Sequence, residues 1–290
     1  MAVLKTEKLT HIYSPNTAFE RKAITAIDFE AYSGECLGII GHSGSGKSTL
    51  IKHLNGLLKP TSGHVYYNGI DVNESKEFRR DLRFKVGLVF QYPEYQLFAA
   101  TVFEDIAFGP INMGLSQTEV RERVHEAAKF VLLEEDILKK SPFELSGGQK
   151  RRAAIAGVIA MKPQVLILDE PTAGLDPQGR DEIMRNIMEY KRACGATLIM
   201  VTHDMEEIAS CVDRIIILEG GAIIVNGTPG SVFADSERLR ELGLDVPVAA
   251  MIANRLRDLG MSIDTDVYTL EHLVQVLAND IREVGGKPGC

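Results

Sequence analysis

Long apolar runs are missing from the 290-residue sequence. Runs such as Val165 to Leu168 and Ile215 to Leu218 are strand-sized, whereas a membrane helix needs roughly 20 apolar residues. The chain is not expected to span a bilayer itself. A long Lys/Arg block is missing too: 40 acidic residues against 32 basic give a net charge of −8, the wrong balance for neutralising nucleic-acid phosphates. No nucleic-acid partner is expected. The N-terminal MAVLKTEKLTHIY alternates like a strand and lacks the basic and apolar regions of a signal peptide, which points to the cytosol. Cysteine is scarce, and Cys36, Cys194, Cys211 and Cys290 include no CxxC pair, so neither a zinc site nor a disulfide framework is indicated. The first three read as small buried apolar residues and Cys290 as a free thiol. No period of 20 to 50 residues recurs, which argues against a solenoid or propeller.

What is present is an ordinary globular composition, 45% hydrophobic and 25% charged, at a length suited to one large domain with an appendage or to two domains. Alternating runs at Leu4 to Thr10 and Ala23 to Ala31, separated by SPNTAFERK, predict antiparallel strands. Cys36 to Ile40 reads as a short buried strand. A Gly/Ser-rich turn comes next, and then Leu50, Ile51, Leu54, Leu57 and Leu58 at helical spacing until Lys59-Pro60. Strands are predicted at Val65 to Tyr67 and Val86 to Phe90. Helical periodicity dominates from Glu104 to about Met161, the pattern of an inserted helical subdomain, whose limits we place at about 92–161. Strands at Val165 to Leu168, Thr197 to Val201 and Arg214 to Leu218 alternate with helices, as in a parallel sheet. The fold class is α/β. From about Ser231 the character changes. Val248, Ile252 and Leu256, then Leu270, Leu273, Val274, Leu277 and Ile281, mark two amphipathic helices. The expected division is residues 1–230 and a C-terminal extension, 231–290.

Gly41, His42, Ser43, Gly44, Ser45, Gly46, Lys47 and Ser48 fit GxxxxGK[ST] between a strand and a helix. Glycines at these positions let successive backbone N–H groups cradle phosphates, and the helix N-terminus adds positive potential. Lys47 supplies a mobile cation, Ser48 a Mg²⁺ ligand, and Thr49 reaches the α-phosphate side. Val165-Leu-Ile-Leu-Asp169-Glu170 is a buried strand ending in two carboxylates, where open α/β sheets bind ligands. Asp169 is expected in the Mg²⁺ shell and Glu170 to deprotonate the attacking water. Leu145, Ser146, Gly147, Gly148 and Gln149 lead into a helix that Ser146 can cap. Taken alone the segment is a bland cap. Placed well beyond Lys47 and across the helical insertion, it is not expected to share one ATP with Lys47 of the same chain.

The phosphate loop, LSGGQ and LILDE, in that order, resemble the ABC ATPase superfamily over residues 1 to about 230. The resemblance implies a RecA-like parallel core with an antiparallel β subdomain and a helical subdomain. It also implies an ATPase working with ATP and Mg²⁺ as a head-to-tail dimer, in which Ser146, Gly147 and Gly148 of one subunit close on the γ-phosphate held by the other. By the same resemblance Gln91 senses Mg²⁺ and the partner protein, His203 contacts the γ-phosphate, Asp176 lies in a loop crossing the dimer interface, and Tyr13 stacks on adenine. The run Gln91, Tyr92, Pro93, Glu94, Tyr95, Gln96, Leu97, Phe98, with Thr101-Val and Ile106-Ala-Phe-Gly-Pro110, resembles the ATPases of energy-coupling factor transporters, particularly the second of their two paralogues. In that group this segment receives coupling helices of a transmembrane scaffold; ordinary packing of the helical subdomain is the other reading. The C-terminal stripes resemble a dimer-stabilising extension, or else pack on their own core. The resemblance thus implies an importer ATPase at the cytoplasmic face of the cell membrane. Its implied partners are a paralogous ATPase subunit, a transmembrane scaffold and substrate-binding membrane subunits that bring vitamins or transition-metal ions. A homodimeric ATPase of another ABC transporter, or a soluble ABC protein of repair or translation, are the alternatives.

Overall fold

The computed structural model describes residues 1–264 and 266–285, with 280–285 by backbone alone. Cys290 and the side chain of Ile281 lie outside the described residues. Two long strands open the chain, β1 (Ala2–Tyr13) and β2 (Arg21–Tyr32), paired antiparallel so that Tyr13 faces Arg21. β3 (Cys36–Ile40) runs to the Gly-rich loop, which leads into α1 (Lys47–Leu54). β4 (Ser62–Tyr67) and β5 (Ile70–Asp71) return to the first sheet, whose order is β2-β1-β4-β5. Then come α2 (Lys76–Lys85) and β6 (Val86–Val89).

Three helices separate β6 from the next strand: α3 (Val102–Asn112), α4 (Gln117–Phe130) and α5 (Gly147–Ile159). Thr101, Ser116 and Ser146 each start one of them with a reciprocal capping box, which satisfies two otherwise orphaned N–H groups at each end. β7 (Val165–Asp169), α6 (Pro177–Cys194), β8 (Thr197–Val201), α7 (Met205–Cys211), β9 (Arg214–Glu219) and β10 (Ala222–Gly227) complete the second sheet. Its order is β10-β9-β3-β8-β7-β6, parallel except for the β9–β10 hairpin. The chain ends with α8 (Pro229–Ala234), α9 (Ser236–Glu241), α10 (Val248–Asp258) and α11 (Leu270–Gly285).

Every residue of β3, β7 and β8 is buried, because a parallel strand covered on both faces has no polar side. Strand alternation sorts these side chains between two cores. Ile40, Leu166, Leu168, Leu198 and Met200 pack with α3 to α7, while Leu37, Ile39, Ile167, Ile199 and Val201 pack with α1 and with Leu4, Ile24 and Phe29 of the antiparallel sheet. Each such buried aliphatic side chain contributes about 1.5–3 kcal/mol.

The cysteine reading needs correction: Cys36 is buried, but Cys211 is half-buried and Cys194 exposed. Cys194 continues the buried Ile183, Ile187, Tyr190 stripe by one turn, yet α6 stops there at the left-handed Gly195, where the core has ended. The C-terminal stretch is also less of an appendage than its composition suggests. Val232, Phe233, Leu239, Leu244 and Val246 belong to the main core, and only Ala249, Ala253, Ile263, Val267 and Leu273 form a separate cluster. Leu256 and Leu277 pack on that small cluster, while Val248, Ile252, Leu270 and Val274 are exposed.

Candidate functional site

The carboxyl ends of β3, β7 and β8 bring the phosphate-loop residues to one cleft. Gly41 has φ 149°, and a Cβ there would lie 2.2 Å from the Leu218 carbonyl oxygen; at Gly46, φ 109°, a Cβ would meet Ile24 Cγ2 at 2.7 Å. Only glycine fits either position. Gly46 caps α1 without a side-chain hydrogen bond, which leaves the first-turn N–H groups for a ligand. Lys47 Nζ donates to the carbonyl oxygens of Gly41 and, at 2.9 Å, of His42. Burial lowers the Lys47 pKa, and the Glu170 and Asp169 carboxylates oppose that shift.

Asp169 ends β7 and is buried. Burial first, then Glu170, raises its pKa against the pull of Lys47, Lys52 and a Ser48 hydrogen bond. Glu170 stands just past the strand at φ 52°, fixed by its N–H donating to the Val201 carbonyl at 2.7 Å. Its Oε1 lies 2.8 Å from His203 Nδ1. Tyr13, half-exposed, has its hydroxyl 3.3 Å from Thr49 Oγ1 and its ring edge-on to His11 at 4.5 Å. Together Tyr13, Gly41, Ser43, Gly44, Gly46, Lys47, Ser48, Thr49, Gln91, Asp169, Glu170 and His203 line a cavity of about 400 Å³. A larger cavity, about 890 Å³, opens between Lys5, Glu30 and Arg214 and has no comparable set of loop N–H donors.

Other site residues lie elsewhere. Ser45 is buried beneath the loop, and His42 turns away to pair its Nε2 with the Leu242 carbonyl oxygen beside Gly243. Leu145 to Gln149 do not line the cleft: Ser146 caps α5, accepting from the Gln149 N–H at 3.3 Å. Asp176 caps α6, accepting from the Gly179 N–H at 2.8 Å. In the segment after Gln91, Pro93 is buried, Leu97 packs on the core, and Tyr92, Tyr95 and Phe98 are exposed. Glu94 turns inward to pair with Arg151.

Sequence reasoning missed three charged groups. Arg151, 3% exposed, takes both oxygens of Glu94 at 3.0 and 3.1 Å and donates to the Ala173 carbonyl at 2.6 Å. It thereby ties α5 to the segment after Gln91 and to the loop after Glu170. Glu207 on α7 accepts from the hydroxyls of Thr202 and Thr172, at 3.0 and 3.2 Å, and burial raises its pKa. Arg21 lines the cleft itself. Lys150-Arg151-Arg152 is visible as a basic run, but nothing local marks Arg151 as buried, because its partners are far off in sequence.

The ABC transporter family profile matches residues 24–173. An energy-coupling factor transporter ATP-binding protein EcfA2 from Caldanaerobacter subterraneus subsp. tengcongensis is 51% identical over 96% of this chain and 98% of its own length. One of the same name from Clostridium perfringens is 49% identical over the same shares. The solved structure of cbiO1 from Clostridium perfringens, described as part of the ABC transporter complex cbiONQ, superposes with a TM-score of 0.73 at 41% identity, over 87% of this chain and 98% of that one. A dimeric ATP-binding cassette in a post-hydrolysis state with ADP and Pi gives 0.70 at 32% identity, over 78% of this chain and 98% of that one. With a parallel sheet carrying the phosphate loop and the Asp169-Glu170 strand end on one cleft, the chain belongs to the ABC transporter ATPases, among the ATP-binding proteins of energy-coupling factor transporters.

Proposed function

We propose that this chain hydrolyses ATP in the Lys47–Glu170 cleft, paired head to tail with a paralogous ATPase subunit, and so drives uptake of vitamins or transition-metal ions through a transmembrane scaffold. The observation that carries this reading is the contact of Glu170 with His203 at 2.8 Å inside a phosphate cleft that the Leu145–Gln149 segment does not reach. A second subunit would bring its own signature segment over the γ-phosphate. The loop N–H groups and Lys47 hold the phosphates, Thr49 lies toward the α-phosphate, and Tyr13 offers its ring to adenine.

In the hydrolytic step Glu170 accepts a proton as the water oxygen attacks the γ-phosphorus. The bond from that phosphorus to the bridging oxygen breaks, and ADP keeps the electron pair. His203, donating through Nδ1 to Glu170, orients the carboxylate at the γ-phosphate end of the cleft. Ser48, Gln91 and Asp169 offer only oxygen donors, which suits Mg²⁺, and burial of Asp169 beside Glu170 gives a carboxylate that a cation stabilises. A Mg²⁺ held by these residues would neutralise charge on the β- and γ-phosphates.

Residues 1–230 form the ATPase domain in this reading, with the helical subdomain at about 92–161, and the extension at 231–290 stabilises the dimer. Asp176 lies in the interface loop. Exposed Tyr92, Tyr95 and Phe98 support docking of the membrane scaffold, and exposed Val248, Ile252, Leu270 and Val274 support a partner at the C-terminus. The chain then works at the cytoplasmic face of the membrane, beside separate substrate-binding membrane subunits. Co-expression with the candidate paralogue and scaffold tests this. ATPase activity that requires both partners is expected, whereas full activity as a homodimer associating with neither would overturn the heteromeric assignment.

A further inference from the structure

Arg21 stands in the cleft without a role in the chemistry above. It opens β2 directly opposite Tyr13, and opposed residues of paired strands project to the same face of a sheet. Both side chains line the cleft. One guanidinium nitrogen lies 3.2 Å from where a Cβ on Gly44 would sit, so the group rests against the phosphate loop. Arg151, Arg152, Arg180 and Arg214 each pair with a carboxylate, and Lys47 donates to its own loop. Arg21 has no carboxylate within pairing distance among the described residues. An unpaired surface arginine is common; one resting on an anion-binding loop inside a concave site is not.

We infer that Arg21 is a second phosphate clamp, its guanidinium pairing with the α- and β-phosphate oxygens of the bound nucleotide on the side of the loop nearest Tyr13. The assignment rests on the reading of this cleft as the nucleotide site. The placement gives the order along the ligand: Tyr13 takes the base, its cross-strand neighbour takes the phosphates next to it, and Lys47 with Glu170 serves the γ-phosphate. A planar guanidinium can present two parallel N–H donors to one phosphate, which an ammonium cannot. The α-phosphate contact is alike before and during hydrolysis and acts on KM, while the β-phosphate gains charge as ADP leaves, so that contact acts modestly on kcat as well.

The test is calorimetric titration of ATP and ADP into the full-length chain and its Arg21→Met, Arg21→Lys and Lys47→Ala variants, at low and high salt, with thermal melting to confirm folding. Arg21→Met keeps the apolar stem and is expected to weaken ATP and ADP alike by about tenfold. The loss should shrink as salt rises, and Arg21→Lys should recover part of it. In the assembled complex the same variant should raise KM with kcat within about threefold. Unchanged ATP and ADP affinity in folded Arg21→Met, or a loss insensitive to salt, would overturn the clamp. If Lys47→Ala also binds ATP like wild type, the reading of the cleft itself fails, and that result is distinct from failure of Arg21 alone.

Discussion

Glu170 holds a backbone conformation that costs a residue with a side chain on the order of 1–3 kcal/mol, and its contacts to Val201 and His203 keep it there. Glu170→Gln retains those contacts but removes the proposed base. Turnover is expected to fall about 10²- to 10⁴-fold with ATP affinity little changed, measured by single-turnover kinetics beside binding. A second titratable group lies deeper. His53, in the last turn of α1, is fully buried with its ring 4.8 Å from His11, and burial, helped by His11, lowers its pKa to about 4. Unfolded histidine takes up a proton near pH 6.5, so between pH 6.5 and about 4 the unfolded state binds more protons and stability falls as pH falls. His53→Leu should flatten that part of the urea-stability profile by up to about 3 kcal/mol. Equal slopes for variant and wild type would refute this. Lys47, Asp169 and Glu170 are legible in the sequence because phosphate chemistry needs those groups beside glycines and at a strand end. Arg21 is not, because only the β1–β2 register brings it to the loop.

Arg151 joins three elements at once: α5, the short turn around Glu94, and the loop after Glu170. Removing one member of a buried pair leaves an uncompensated charge, so Arg151→Met should destabilise the chain by about 3–5 kcal/mol. Changing Glu94 to Met as well should restore part of that loss in denaturant unfolding, and strictly additive effects would argue against coupling. Such a tie links α5 directly to the Gln91–Phe98 segment. β3, β7, β8 and β9 can be read from sequence because strands covered on both faces are continuous apolar runs. α2 cannot: KEFRRDLRFK buries only Leu82, so its apolar period is too faint. β5, two residues long, has no pattern to read, and β10, half-buried along most of its length, lacks clean alternation.

The whole molecule is knit together across its C-terminal stretch. A chain ending after Gly230 loses Val232, Phe233, Leu239, Leu244 and Val246 from the main core and is expected to aggregate. A chain ending after Gly260 keeps them, so it should remain soluble while losing the exposed stripe of α11 and, with it, the stable pairing proposed above with a second ATPase subunit. Size-exclusion chromatography of the co-expressed pair reads both outcomes. The composition shift at Ser231 is visible in the sequence, but the depth to which the following residues enter the core depends on surfaces contributed by β9, β10 and α7, which no local pattern reveals. The strand order also fixes when this protein can fold during its synthesis. β3, which delivers the phosphate loop, is flanked by β8 and β9, both made much later. At about 5–20 residues per second, β3 waits on the order of ten to forty seconds for its neighbours. Until Leu218 has left the ribosome, the two edges of the Cys36–Ile40 strand lack the partner strands that flank them in the finished sheet, an aggregation-prone condition of the kind that chaperones shield.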